Sequence, residues 1–363
     1  MEKNKLDKNK FEKNKIEKKI GNFVANKPSK VHLILSGSGS RFISFIGALS
    51  FFNKIFPKFK DNLGIVSCSS GGSFIGMLLC LGYKIEDIKN LLINIAYSDV
   101  KDINVLSFLN KYGFDEGLKL IEIMKKLIFN KLGNENATFK DLYDIKGNHL
   151  VITGSCLNTY EVEYFDYISN PDMEIWKAVR ISISIPMYYT AFEYKDKMYF
   201  DGAILDYFPI NVISKYSNEI NKNSDILISL KLKDINFVNN YRKISSFSDY
   251  MSNMIWCFIS TIDKLRNDDY LNKEYISKNY LNEKNFYLVE LLGTYESFNL
   301  ELSDDDKNNM FYDAYKFCRK YCYDKHVLNS SNYISKTIIY DIINNLDVFK
   351  SEPPLYNSDT LSD

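Results

Sequence analysis

Histidine is nearly absent from this chain: His32, His149 and His326 are the only three in 363 residues. Net charge is absent as well, with 46 Lys and Arg against 46 Asp and Glu. A neutral chain carries no global field that would gather nucleic acid or a strongly acidic partner. The six cysteines (Cys68, Cys80, Cys156, Cys257, Cys318, Cys322) lack the spacing of a metal site. Cys318 and Cys322 lie four apart in an expected helix, but two ligands do not make a zinc site, so buried, reduced thiols are expected. No apolar run reaches the ~20 residues of a membrane span. The two most apolar stretches, 42–52 and 63–83, are broken by Gly and Ser. No signal-peptide core opens the chain. These absences lead us to expect a cytoplasmic protein whose membrane contact is peripheral.

What is present is a globular composition, 45% hydrophobic and 25% charged, long enough for a large core. Residues 1–28 are set apart: ten Lys face four acids in the first thirty positions, in a near-repeat that cannot support a core. That tail is expected to be disordered, with a basic excess suited either to solvent or to anionic headgroups. Beyond it, compact apolar runs alternate with helical spacing. Val31 to Leu35, Leu63 to Val66, Leu150 to Thr153 and Asp225 to Lys231 read as buried strands, and Ile43–Phe56, Lys84–Asn94, Ser246–Leu265 and Asp304–Tyr323 read as helices. The alternation predicts an α/β fold with a mostly parallel central sheet and helices on both faces.

Three stretches carry chemistry. The first is Ser67-Cys68-Ser69-Ser70-Gly71-Gly72-Ser73, between a strand and a helix. Its small-x-Ser-x-Gly spacing matches a nucleophile elbow with Ser69 at the tip and Ser67 in place of the first glycine; it is also compatible with an ordinary tight corner. The second is Ser36-Gly37-Ser38-Gly39-Ser40-Arg41-Phe42, after the first strand. Such a turn can cradle a phosphate, form an oxyanion hole or simply turn. The third is Asp201-Gly202-Ala203, at the end of a short strand, where an acid serves catalysis or caps the strand as an Asx-turn. Acyl transfer needs a base for a serine nucleophile. His32 lies inside a strand, His149 at the opposite sheet edge and His326 at a late helix end, so none suits a triad, whereas Asp201 suits a dyad.

The SGSGSR loop followed by Ile46–Leu49, the elbow SCSSGGS, the segment VRISISIP and the run DGAILDYFPI, in this order from about Lys30 to Ser214, resemble the patatin-like phospholipases, in the flavour found in large DNA viruses. The resemblance implies a three-layer sandwich related to the α/β-hydrolases and a lipid acyl hydrolase acting through an acyl-enzyme. Ser69 would be the nucleophile and Asp201 the base. Gly37, Ser38, Gly39 and Ser40 would form the oxyanion loop beside Arg41, with Ser67, Gly71, Gly202 and Ala203 as supporting motif positions. It implies no metal and no organic cofactor, and a phospholipid or other acyl lipid as partner. The domain would span 29–325, with its motif core at 30–214 and a helical part at 240–325, followed by a polar tail at 326–363. Two departures stand out: Ser67 for the elbow glycine, and Phe42 for the last glycine of the loop, which would strain the backbone if φ > 0 were required there. A weakly active effector on the same fold is the alternative, and a nucleotide-binding α/β protein a more distant one.

Overall fold

A computed structural model of the chain describes residues 29–56, 59–95, 97–234, 244–267, 285–293, 295 and 302–328. The expected basic tail at 1–28 and most of the polar tail lie outside them. In chain order the elements are β1 (Val31–Leu35), α1 (Ile43–Ile55), β2 (Leu63–Cys68), α2 (Gly71–Cys80), α3 (Ile85–Asn94), α4 (Tyr97–Val100), α5 (Val105–Lys111), β3 (Gly113–Asp115), α6 (Leu118–Leu132), α7 (Phe139–Lys146), β4 (His149–Cys156), β5 (Val162–Phe165), α8 (Ile175–Ser182), β6 (Met187–Tyr189), β7 (Phe192–Tyr194), β8 (Lys197–Asp201), α9 (Val212–Lys215), β9 (Ile226–Asp234), α10 (Phe247–Asn267), β10 (Phe286–Gly293) and α11 (Asp304–Leu328). The chain divides into two compact units after Tyr321. The described part of the second is the last turns of α11, so that helix runs past 325.

The sheet follows the order β10-β9-β1-β2-β4-β8-β7, with β5 on β4. The five strands β10, β9, β1, β2 and β4 are mutually parallel. Every residue of β1 and β2 is buried, as continuous apolar runs require when helices cover both faces of a parallel sheet. The fold is therefore the expected α/β architecture.

The register of β4 decides how the site is built. Ile152 pairs with both Cys68 of β2 and Phe165 of β5, so those strands take opposite edges of β4. Gly154 pairs with both Glu163 of β5 and Asp201 of β8, so β8 takes the edge that β2 occupies lower down. Because β2 is parallel to β4 and β8 antiparallel, the two run toward each other along one edge. Their ends meet at Thr153. The acid thus reaches the site from the direction opposite to the parallel strands.

Candidate active site

Ser70 follows the end of β2 and caps α2 with φ +49° and ψ −131°. A non-glycine residue rarely adopts this backbone, at a cost of ~1–3 kcal/mol. Its surroundings hold it there. The Ser70 N–H donates to Ser182 Oγ at 2.9 Å, and the Ser70 carbonyl accepts from the Ser73 N–H at 2.8 Å and the Ser73 hydroxyl at 2.6 Å. The strained turn projects the hydroxyl onto the end of β8, where Ser70 Oγ donates to Asp201 Oδ2 at 2.7 Å.

Asp201 is buried, 3% exposed. Burial pushes its carboxyl up to about 7, against the weaker downward pull of the Ser70 hydroxyl and the Ala203 N–H, which donates to Oδ1 at 2.8 Å. The Asp201 carbonyl accepts from Ser155 Oγ at 2.9 Å, and its N–H donates to the Ser184 carbonyl at 2.9 Å. Gly202 leaves no room for a side chain, since a Cβ there would sit 2.4 Å from both the carbonyl oxygen and Oγ1 of Thr153.

The serine against the acid is therefore not the expected one. Ser69 is fully buried, and its Oγ accepts from Thr153 Oγ1 at 2.7 Å, beneath the turn. The run CSSGGS fits the elbow pattern in two registers, Ser69-x-Gly71 and Ser70-x-Gly72. Ser67 is smaller than Cys68, which in sequence favours the first register, whereas the hydroxyl that meets Asp201 is that of Ser70. In the folded chain Cys68 occupies the position of the first motif glycine. Its bulk is accommodated from across the interface: a Cβ on Gly76 of α2 would come within 2.6 Å of Cys68 Sγ. Ser67 instead ties β2 to the loop after β8, donating to the Pro209 carbonyl at 3.1 Å.

The glycine-rich loop also divides differently. The Gly37 N–H is committed to the Tyr207 carbonyl at 2.9 Å. Gly37, Ser38 and Gly39 all line a cleft with Ser70 and Asp201. Among the described residues the N–H groups of Ser38, Gly39 and Gly71 have no acceptor, and Gly71 opens α2, where the helix dipole favours negative charge. Ser40 is buried in a 3-10 turn, and Arg41, fully buried, lies outside the cleft with Nε 3.4 Å from the Ser38 carbonyl and its guanidinium over Trp256. Phe42 adopts φ −59°, an ordinary helical value. The positive φ of the loop falls on Gly39, at 56°, so the feared strain at Phe42 does not arise.

The cleft is narrow, with a cavity volume of about 20 Å³ and partly open to solvent, and its remaining walls are apolar: Ile185, Pro186, Ile204, Tyr207 and, from α10, Ile255, Trp256 and Ile259. The apolar face of α10 thus serves the core and the cleft together, while Phe258 and Leu265 of that helix are exposed. His32 is engaged elsewhere, between the Ile65 N–H and Asp225, and His149 sits with Asp166 and Glu219. Among the described residues no three His, Cys, Asp or Glu side chains stand together as metal ligands.

A strained serine over a helix N-terminus, a desolvated aspartate and a glycine loop form one arrangement, and residues 33–213 match the family model described as patatin-like phospholipase. That segment belongs to the patatin-like phospholipases. Lipid hydrolysis is the function at that level. Two viral proteins are similar in sequence. One is named probable lipid hydrolase 463L, from Invertebrate iridescent virus 6, and is 28% identical over 226 residues, 60% of this chain and 75% of that protein. The other is an uncharacterised protein of Acanthamoeba polyphaga mimivirus, 27% identical over 226 residues, 61% of this chain and 73% of the other. Among solved structures, VipD from Legionella pneumophila superposes with a TM-score of 0.52 at 16% identity, over 84% of this chain and 68% of VipD, and so shares the patatin fold. No described helix is long and apolar enough to cross a membrane.

Proposed function

We propose that the chain is a serine-dependent lipid acyl hydrolase in which Ser70 is the nucleophile and Asp201 its general base. The observation that carries this reading is the 2.7 Å hydrogen bond from Ser70 Oγ to a buried carboxylate whose pKa is raised to about 7. A base works best with a pKa near the operating pH, and burial brings Asp201 there without a histidine.

In the first half-reaction Ser70 Oγ attacks the ester carbonyl and its proton passes to Asp201 Oδ2. The negative charge on the carbonyl oxygen is met by the N–H groups of Ser38, Gly39 and Gly71. Collapse breaks the bond to the alcohol, which leaves with the proton from Asp201, and the acyl group stays on Ser70. Water then attacks the acyl-enzyme, giving a proton to Asp201, and the fatty acid departs as Ser70 recovers it. The sequence balances without a metal or an organic cofactor. The apolar walls suit an acyl chain, and the substrate class is a phospholipid or another acyl lipid met at a membrane surface.

The test is hydrolysis of an activated ester by wild type, Ser69→Ala, Ser70→Ala and Asp201→Asn, with mapping of the residue labelled by a fluorophosphonate. Label on Ser70 is expected, with loss of turnover in Ser70→Ala and a roughly 100- to 10,000-fold loss in Asp201→Asn. Label on Ser69, or a Ser70→Ala rate equal to wild type, refutes the assignment.

A further inference from the structure

Helix α5 is built inside out. Its sequence is Val-Leu-Ser-Phe-Leu-Asn-Lys, and Ser107 is the one residue of it that is buried, bonded through Oγ to Glu116 at 3.2 Å. Val105 and Leu106 are 68% exposed and Leu109 is 73% exposed; they are flanked by Ile103 and Tyr112 at 58% and 67%. Val105, Leu109 and Tyr112 recur at i, i+4 and i+7, with Leu106 beside them, so these side chains form one face. Together they present several hundred Å² of apolar surface, at or above what soluble monomers leave uncovered. Water alone would select the reverse pattern.

The face is held out by a rigid base. Asn104 caps α5 by accepting from the Leu106 N–H at 3.0 Å, and Phe108 stacks on Phe114 of β3. Asp115 accepts from the Asp102 and Gly117 N–H groups at 2.8 and 2.6 Å. Tyr112 takes a left-handed φ of 63°, a strain retained next to the apolar face.

The base is fastened to the cleft wall. Gly113 of β3 pairs with Met187 of β6, which is 37% exposed, has φ 66° and directly follows the cleft residues Ile185 and Pro186. Arg180 joins the same parts: Nη2 donates to the carbonyls of Glu116 and Thr190, both at 3.1 Å, and Nη1 to Ser184 Oγ at 2.6 Å. The segment that carries the apolar face is therefore tied, through two paired strands, to the wall of the cleft that holds Ser70. α5 contains no acidic residue; its one charge is Lys111, paired with Glu116, and Lys119 Nζ donates at 2.8 Å to the Lys101 carbonyl, in the stretch before the helix, beside the exposed Asp102.

We infer that α5 is a lipid-insertion element: Val105, Leu106, Leu109 and Tyr112 enter the acyl boundary of a bilayer beside the mouth of the cleft. The lysines remain at phosphate level, with their stems along the apolar surface. The inference rests on the lipid-hydrolase reading for its choice of partner, since an acyl lipid reaching Ser70 must come out of such a surface.

The test is flotation of the full chain with vesicles of equal parts phosphatidylcholine and phosphatidylserine, in a Ser70→Ala background that leaves the lipid intact. Leu106→Ser with Leu109→Ser is expected to weaken vesicle partitioning by about 100-fold, because each leucine contributes roughly a tenfold factor on burial. In the Ser70-intact protein, the same pair of changes leaves hydrolysis of a water-soluble short-chain ester unchanged. Partitioning equal to the parent overturns the inference. So does a change from dimer to monomer in sedimentation velocity, which would assign the face to a second copy of the chain. If the double variant fails to fold, Leu109→Trp with vesicles of brominated lipid decides the matter: quenching supports insertion and its absence overturns it. Failure of the hydrolase reading shows separately, as a wild type without soluble-ester turnover.

Discussion

Replacing Asp201 by Asn tests the physical basis of the site without relying on turnover. The carboxyl titrates near 7 in the folded chain against its ordinary 3.8. Below about pH 4 both folded and unfolded chains hold the proton, and ionisation contributes nothing to the balance. Between about 4 and 7 the folded chain keeps a proton that the unfolded chain has released, so stability falls as pH rises, by about 1.4 kcal/mol per unit. Above about 7 both are ionised and the full penalty, about 4 kcal/mol, is in place. Asn cannot ionise, and its amide serves the same neighbours: Oδ1 accepts from the Ala203 N–H while Nδ2 donates to Ser70 Oγ. The variant is therefore expected to melt close to wild type at about pH 4 and higher above neutrality, by roughly 5 °C for a chain of this size, while hydrolysis is lost. Paired thermal melts across this range are the assay. A melting difference that stays constant with pH refutes the claim that Asp201 is held in a desolvated site. In wild type the same ionisation should appear as kcat/KM rising with pH to a plateau above about 7.

Three more expectations follow from the geometry. Thr153→Val keeps the shape of the residue between the two strand ends but removes the donor to Ser69 Oγ, so kcat should fall with KM unchanged and stability should drop by about 1–2 kcal/mol; Thr153→Ser should restore turnover. Gly202→Ala forces a Cβ against the Thr153 backbone and should destabilise by about 3 kcal/mol or more, read by urea unfolding. For His149, burial lowers the pKa but the nearby Asp166 carboxylate and the hydrogen bond with Glu219 outweigh it, raising the net value; Asp166 is held at about 2 because His149, Tyr216 and the Ser169 N–H outweigh its burial. The Asp166 share of stability is complete above about 4 and is lost as pH falls toward 2, whereas the His149 share is complete below about 6.5 and is lost as pH rises through its raised value. His149→Gln should therefore cost most between about pH 4 and 6.5, and a penalty that instead grows toward alkaline pH contradicts this account.

The strands most readily legible from sequence were VHLIL, LGIV, LVIT and DILISLK, because burial on both faces leaves continuous apolar runs. The pairing of a serine turn with Asp201-Gly202-Ala203 was legible too, since each ends a strand in small residues. The register of the serine was not. CSSGGS admits two readings, and the choice depends on the space above Gly76, one turn into the next helix and invisible to local spacing. The opposed approach of β2 and β8 was equally hidden, because strand direction is set by pairing with β4 rather than by composition. Strand β3 eluded the pattern for a different reason: residues 100–133 carry helical spacing split at Gly113 and Gly117, and the three residues of β3 form a strand only by pairing with β6, about seventy positions on.

The meeting of β2 and β8 at Thr153 has a bearing on how the protein is made. Ser70 leaves the ribosome 131 residues before Asp201. Until β4 is in place and β8 docks along the edge beside β2, the hydroxyl has no proton acceptor. A nascent, clipped or stalled chain ending short of β8 would hold a complete elbow and yet be inert. On the proposed mechanism, turnover waits until the second of the two halves arrives, so a fragment of residues 1–195 is expected to take no fluorophosphonate label.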